Sequence, residues 1–210
     1  MKLTIFGATG ATGTSLVQQA LAAGHEVTAV VRDPARMTIP AHQWLRVVTA
    51  DVLDPAAISP AVDGADAAIS AVGPGTGAST LRQDSTRSII QAMQKTGTCR
   101  LLIVSGSVVA DDGESPFMRY LLKPLARRTF LRQVCADMRR AEDETHDSNL
   151  DWTIMRPPAL TDKTARGTYR TATDRNLPHG FSISRADLAA CMLTLLDNPA
   201  AVHRHVAIAN

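Results

Sequence analysis

The feature that most constrains this chain is the run Gly7-Ala-Thr-Gly10-Ala-Thr-Gly13, set between the apolar segment Leu3–Phe6 and an amphipathic stretch that opens near Thr12. A strand that turns through glycine directly into a helix is a device for bringing backbone close to a ligand. Gly7 permits the tight turn, Gly10 removes the side chain that would keep a pyrophosphate at a distance, and Gly13 lets the helix pack close to the strand. The N–H groups of the first helical turn, from Ala11 through Thr12 to Gly13, then face the phosphates with the helix dipole behind them.

The rest of the chain repeats this alternation. Strand-length apolar runs fall at Val27–Val31, Arg46–Ala50, Ala67–Ala71, Leu101–Val104 and Trp152–Met155, with a short late strand expected at Val206–Ala209. Helical periods separate them. The first helix buries Leu16, Val17, Ala20 and Leu21 and stops at Gly24. Others are expected over Thr80–Lys95, over much of Phe130–His146, and from Ser184 to Leu196, where Ser184-Arg-Ala-Asp187 resembles a capping box with Asp in place of Glu. Alternation of this kind predicts an α/β fold, a Rossmann-type doubly wound and mostly parallel sheet with a small substrate-cap region. With no linker or repeat, residues 1–210 read as a single domain. Three stretches show no regular pattern: Gly73–Ser79, Ala110–Arg128 and Thr161–Gly180. Loops 110–130 and 161–180 are expected to line a substrate cleft.

The strand ends carry the candidate ligand contacts. Val31 is followed by Arg32, with Arg36 close behind; an arginine there suits the 2′-phosphate of NADP, whereas an acid would suit the ribose hydroxyls of NAD. Asp33 precedes Pro34, and its simplest role is to cap a short turn. NADPH is therefore expected ahead of NADH. Asp51 and Val52 after the third strand are placed for the adenine, and Val72 and Gly73 after the fourth for the ribose or nicotinamide.

Composition narrows the class. A chain of 210 residues with 45% hydrophobic content can bury a substantial core, and a formal charge of +2 does not suggest a nucleic-acid or membrane partner. Cys99, Cys135 and Cys191 are scattered and odd in number, as in reduced intracellular thiols. A cytoplasmic protein with a small-molecule substrate, monomeric or homodimeric and without a metal, is the expectation. His146, His179, His203 and His205 lack metal-ligand spacing and read as surface or loop residues.

Taken in order, these segments resemble the atypical short-chain dehydrogenases, near the biliverdin IXβ reductase/flavin reductase group and the NmrA-like proteins. The resemblance rests on the GxxGxxG turn Gly7–Gly13, Val31-Arg32-Asp33 with Arg36, Asp51-Val52, Leu150–Pro158, Gly167-Thr-Tyr169 and Ile183–Leu188. It implies that Gly7, Thr9, Gly10, Thr12, Gly13, Arg32, Arg36, Asp51, Val52 and Gly73 contact the dinucleotide, and that Pro157 and Pro158 border the nicotinamide.

Short-chain dehydrogenases usually combine a tyrosine, a lysine and a serine. Ser105 and Ser107 follow the fifth strand, and Ser107 matches the catalytic position better, with Ser105 beside the cofactor. If Glu142 marks the glutamate that follows the family lysine, the tyrosine and lysine positions hold Val134 and Met138, and neither can transfer a proton. Tyr120 and Lys123 are one residue too close together, and Tyr169 is isolated. The usual dyad is absent. The expectation is an NADPH-dependent reductase of a small conjugated acceptor (flavin, quinone, tetrapyrrole or related carbonyl) that needs little acid help. The alternatives are a biosynthetic tailoring reductase, isomerase or epimerase, and an NmrA-like redox sensor without turnover. Ala159 stands where the biliverdin reductase motif has histidine, which argues against biliverdin itself. Arg119, Lys123, Arg127, Arg128 and Arg132 form either a positive mouth for an anionic substrate or a solvated face paired with acids such as Asp137.

Overall fold

The computed structural model describes residues 1–73, 80–109 and 131–210. Five strands run in the order of the sequence pattern: β1 (Lys2–Phe6), β2 (Glu26–Val31), β3 (Leu45–Thr49), β4 (Ala67–Ser70) and β5 (Arg100–Val104). Helices α1 (Ala11–Ala22), α2 (Pro55–Val62) and α3 (Leu81–Thr96) connect them. Beyond them lie α4 (Leu131–His146), β6 (Asp151–Arg156), β7 (Ala159–Thr161), β8 (Arg170–Thr173), β9 (Ser182–Ser184), α5 (Arg185–Thr194) and β10 (Arg204–Ala209).

Eight strands form one sheet in the order β3-β2-β1-β4-β5-β6-β10-β8, and β7 pairs with β9 in a small second sheet. All pairings in the large sheet are parallel except that of β8 with β10. The chain winds outward from β1 through β2 to β3, then returns to the other side of β1 as β4. Loops at the carboxyl ends of β1 and β4 therefore diverge, and a crevice opens between them, as it does wherever the winding reverses in such sheets.

Alternation along each strand builds two cores. Leu3 and Ile5 face one side with Leu16, Val17, Ala20, Leu188 and Met192, so α1 and α5 cover that face. Phe6 faces the other with Ile58, Val62, Ile89, Met93 and Trp152, under α2 and α3. Thr4 belongs to this second face, and its hydroxyl is satisfied by donating to the Ala61 carbonyl at 2.5 Å. The Arg100 guanidinium donates to the carbonyls of Leu195 and Leu196, closing the carboxyl end of α5.

Two expectations need correction. Thr161–Gly180 is not irregular throughout, because Arg170–Thr173 adds an antiparallel edge strand to the sheet. Its four residues are too short and too polar to carry an alternation signal. Helix α2 has no counterpart in the sequence reading, because Pro55 and Pro60 interrupt its period. A signal was nonetheless there: Asp54-Pro55 repeats the cap-plus-proline pair of Asp33-Pro34, and the Asp54 carboxylate accepts from the N–H groups of Ala56 and Ala57.

Candidate functional site

The turn after β1 is pressed against the end of β4. Gly7 has φ +75°, and a β-carbon on it would stand 2.8 Å from the carbonyl carbon of Ala71. A β-carbon on Gly13 would collide with the Gly7 carbonyl, so α1 starts as close to the strand as a backbone allows. Gly10 is the N-cap of α1 and supplies no side-chain hydrogen bond, so no side chain fills the amino end of the helix.

Directly above this turn lies a cavity of about 450 Å3, lined by Gly7, Thr9, Gly10, Val30, Val31, Arg32, Arg36, Ala50, Val52, Ala71, Val72, Gly73 and Leu81. The sequence-derived residues Gly7, Thr9, Gly10, Arg32, Arg36, Val52, Val72 and Gly73 thus converge on one wall. Val30, Val31, Ala50, Ala71 and Leu81 join them; all but Val30 and Leu81 adjoin a residue already singled out. An uncapped helix amino end, a backbone without β-carbons and two cations in one cavity fit a dinucleotide with its pyrophosphate at the turn.

Arg32 and Arg36 are exposed and form no ion pair among the described residues. Asp33, between them, is turned away: its carboxylate accepts from the N–H of Ala35 at 3.0 Å and caps the short turn Pro34–Arg36. Asp51 is outside the cavity wall. Its carboxylate accepts from the N–H of Leu53 at 3.0 Å, which leaves Ala50 and Val52 to form the wall.

Across the crevice, Ser105, Ser107, Pro157 and Pro158 gather where β5 and β6 end. The N–H of Ser105 donates to Met155 and that of Ser107 to Pro157, both at 2.8 Å. The Ser107 carbonyl accepts from the side chain of Asn176, a buried residue contributed by the segment after β8. Ser105 is 6% exposed, and its hydroxyl has no hydrogen-bond partner among the described residues. None of these four lines the 450 Å3 cavity, nor do Ala11, Thr12 and Gly13.

The face of α4 toward Ser105 and Gly106 carries Met138, whose sulfur is 3.2 Å from a β-carbon built on Gly106. Glu142, one turn on, is buried and grips Arg156 through two hydrogen bonds of 3.1 and 2.6 Å, holding the end of β6 to α4. Tyr169 packs on the α1 and α5 side, where burial raises its pKa. Burial pushes the Cys191 thiol up to about 11. Tyr120, Arg119, Lys123, Arg127 and Arg128 lie outside the described residues. Arg132, the remaining member of that basic cluster, lines a groove of about 690 Å3 with Leu53, Leu81, Asp84 and Arg140, and Leu81 also lines the first cavity.

Among the described residues Asp137 is engaged by backbone. It is 1% exposed, and its carboxylate accepts from the N–H groups of Arg82 and Gln83, capping α3. His146 and His203 are exposed, as expected of surface residues, and His205 is half-buried; the three surround Trp152 with ring centroids 4.9 to 5.5 Å away. His203 and His205 lie 57 or more residues from His146 along the chain, so spacing did not reveal the cluster. Another cavity, about 410 Å3, lies at the opposite edge of the sheet by Lys2, Glu26 and Trp44, remote from the glycine turn.

Comparison with known proteins agrees with this geometry. A family model described as NAD(P)H-binding matches residues 7–199. The chain belongs to that NAD(P)H-binding family. It is 27% identical to the uncharacterised protein YwnB of Bacillus subtilis over 204 residues, 95% of this chain and 93% of that one. It is similar to ChuY, an anaerobilin reductase from Escherichia coli O157:H7, with 26% identity, a TM-score of 0.81 and coverage of 100% and 97%. A short-chain dehydrogenase/reductase from Veillonella parvula, solved in complex with NADP, shares the fold with a TM-score of 0.82, 17% identity and coverage of 100% and 94%. The likeness to atypical short-chain dehydrogenases therefore stands, as does the Rossmann-type fold. No helix among the described residues is long and apolar enough to cross a membrane.

Proposed function

We propose that this chain is an NADPH-dependent reductase of a small conjugated acceptor. The observation that carries the cofactor choice is the arrangement after β2: two guanidiniums stand on the cavity wall while the one carboxylate between them is turned into its own backbone. Arg32 and Arg36 are placed to hold a 2′-phosphate, and nothing acidic competes for it there. Gly7, Gly10 and the N–H groups of Ala11, Thr12 and Gly13 seat the pyrophosphate, with Thr9 alongside. Ala50 and Val52 border the adenine, with Asp51 holding the turn behind them, and Val72 and Gly73 let the chain pass the nicotinamide half.

A bound reduced nicotinamide supplies hydride; the chain's residues orient it and exclude water. Pro157, Pro158 and Ser105 would hold the nicotinamide end, and Ser107 would offer a hydrogen bond to the acceptor's carbonyl. With Met138 on the helix face beside Ser105 and Gly106, that face supplies no proton, which suits an acceptor that takes hydride without strong acid help. Segment 161–180, tied to the Ser107 carbonyl through Asn176, borders the acceptor's side of the cleft, and 110–130 lies outside the described residues. Similarity to an anaerobilin reductase supports a conjugated acceptor.

The test is NADPH and NADH consumption against flavins, quinones, linear tetrapyrroles and simple carbonyls. Turnover with NADPH and a conjugated acceptor is the expected result. Tight dinucleotide binding with no turnover across the panel would contradict it and favour a redox sensor, the reading that the missing proton donor also permits.

A further inference from the structure

Behind Val72, which also walls the 450 Å3 cavity, is a pocket of about 10 Å3 between α3, α4 and the ends of β4 and β5. Its lining includes Ser70, Arg82, Thr86, Ser105 and Met138. Such a volume admits one oxygen-sized atom and nothing larger. Two polar side chains meet there unpartnered: the Nε and Nη1 atoms of Arg82 and the hydroxyl of Ser105 are all buried without a hydrogen bond. Burial works to lower the pKa of Arg82 and outweighs the opposing effects of Asp137 and Cys135. Asp137 does not neutralise it by contact, since its carboxylate is engaged by the backbone N–H groups of Arg82 and Gln83.

A half-buried cation whose Nε and Nη1 donors are buried without partners is costly in an empty protein, and the cost falls when an oxygen enters. The pocket adjoins the end of the cleft opposite Arg32 and Arg36, the end left for the nicotinamide half in the reading above, on which this inference rests. We propose that Arg82 makes the cleft discriminate between redox states of the dinucleotide, holding an uncharged oxygen of the nicotinamide-riboside half and favouring the reduced form. The oxidised ring carries a positive charge that a nearby buried guanidinium repels; the reduced ring carries none. Discharge of the spent cofactor is thereby built into a residue that the missing dyad does not explain.

The experiment is calorimetric titration of the wild type, Arg82→Met and Arg82→Lys with NADPH, NADP+ and 2′-phosphoadenosine 5′-diphosphate, which lacks the nicotinamide riboside. Wild type should bind NADPH about tenfold more tightly than NADP+. Arg82→Met should lose that preference while keeping its affinity for the truncated nucleotide, with no fall in Tm, because an apolar chain removes a buried unpartnered charge. Arg82→Lys, which keeps the charge, should retain the preference. Persistence of the preference in Arg82→Met overturns the proposal, as does an equal loss for all three ligands or a lowered Tm, which would mark Arg82 as a framework residue. A wild type that does not bind the truncated nucleotide overturns the cleft assignment itself, and this inference with it.

Discussion

Gly7 and Ala71 are in backbone contact: a β-carbon on Gly7 would lie 2.8 Å from the Ala71 carbonyl, and the Ala71 N–H donates to Phe6 at 3.0 Å. The turn after the first strand and the end of the fourth are one structural unit, and Gly7, Gly10 and Gly73 bring bare backbone to the crevice between them. Gly7→Ala must accommodate both this clash and a φ of +75°, a conformation that costs a residue with a β-carbon about 1–2 kcal/mol before any clash. The variant should lose at least about 2 kcal/mol of stability, read by denaturant unfolding, and its dinucleotide binding should fall with it.

Under the proposed NADPH assignment, Arg32→Ala would remove a charge-assisted contact to the 2′-phosphate. NADPH affinity should fall by about 1.5–3 kcal/mol while NADH affinity stays unchanged. Equal weakening of both, measured by titration, would remove the 2′-phosphate assignment.

Glu142 and Arg156 form an ion pair whose side chains are 4% and 14% exposed. Breaking a buried pair by removing one partner strands the other charge, so Glu142→Gln should destabilise the fold by about 3–5 kcal/mol. The double variant Glu142→Met/Arg156→Leu should be closer to wild type than either single change. Denaturant unfolding of the wild type, Glu142→Gln, the two single apolar changes and the double variant gives the comparison.

Asp187 ties the segment after β7 to α5. Its carboxylate accepts from the N–H groups of Arg166 and Gly167 at 3.0 Å and from the Ser184 hydroxyl at 2.7 Å. Burial works to raise its pKa, but these hydrogen bonds and the Arg166 charge win and hold it below the ordinary carboxylate value. A depressed folded-state pKa contributes stability that is present above the unfolded value and lost as pH falls through the folded one. Asp187→Asn should therefore be less stable than wild type by about 2 kcal/mol at pH ~7, and the gap should narrow below pH ~4. A gap independent of pH would contradict this.

Much of the architecture was readable because the signals are local. Glycine spacing placed the turn, and apolar runs bounded by turns placed the seven main strands. Asp33-Pro34 was read as a cap, and Asp33 caps the turn. Ser184 does accept from the Asp187 N–H as a capping box requires, yet the Asp187 carboxylate serves a distant loop instead of closing the box. That role depends on tertiary placement that no spacing encodes. The same holds for Asp137, which lies on a helix face read as basic but caps α3, and for the histidines around Trp152. Arg82 left no trace in any motif. Its importance arises from the want of a partner, which only packing reveals.

The central claim is that the cavity at the glycine turn holds NADPH through Arg32 and Arg36. It is tested most directly by calorimetric titration of the wild-type chain with NADPH and NADH under identical buffer and salt. The account predicts one site per chain and at least about tenfold tighter binding of NADPH, the difference that one charge-assisted phosphate contact supplies. Equal affinity for the two dinucleotides, or no binding of either, would contradict it.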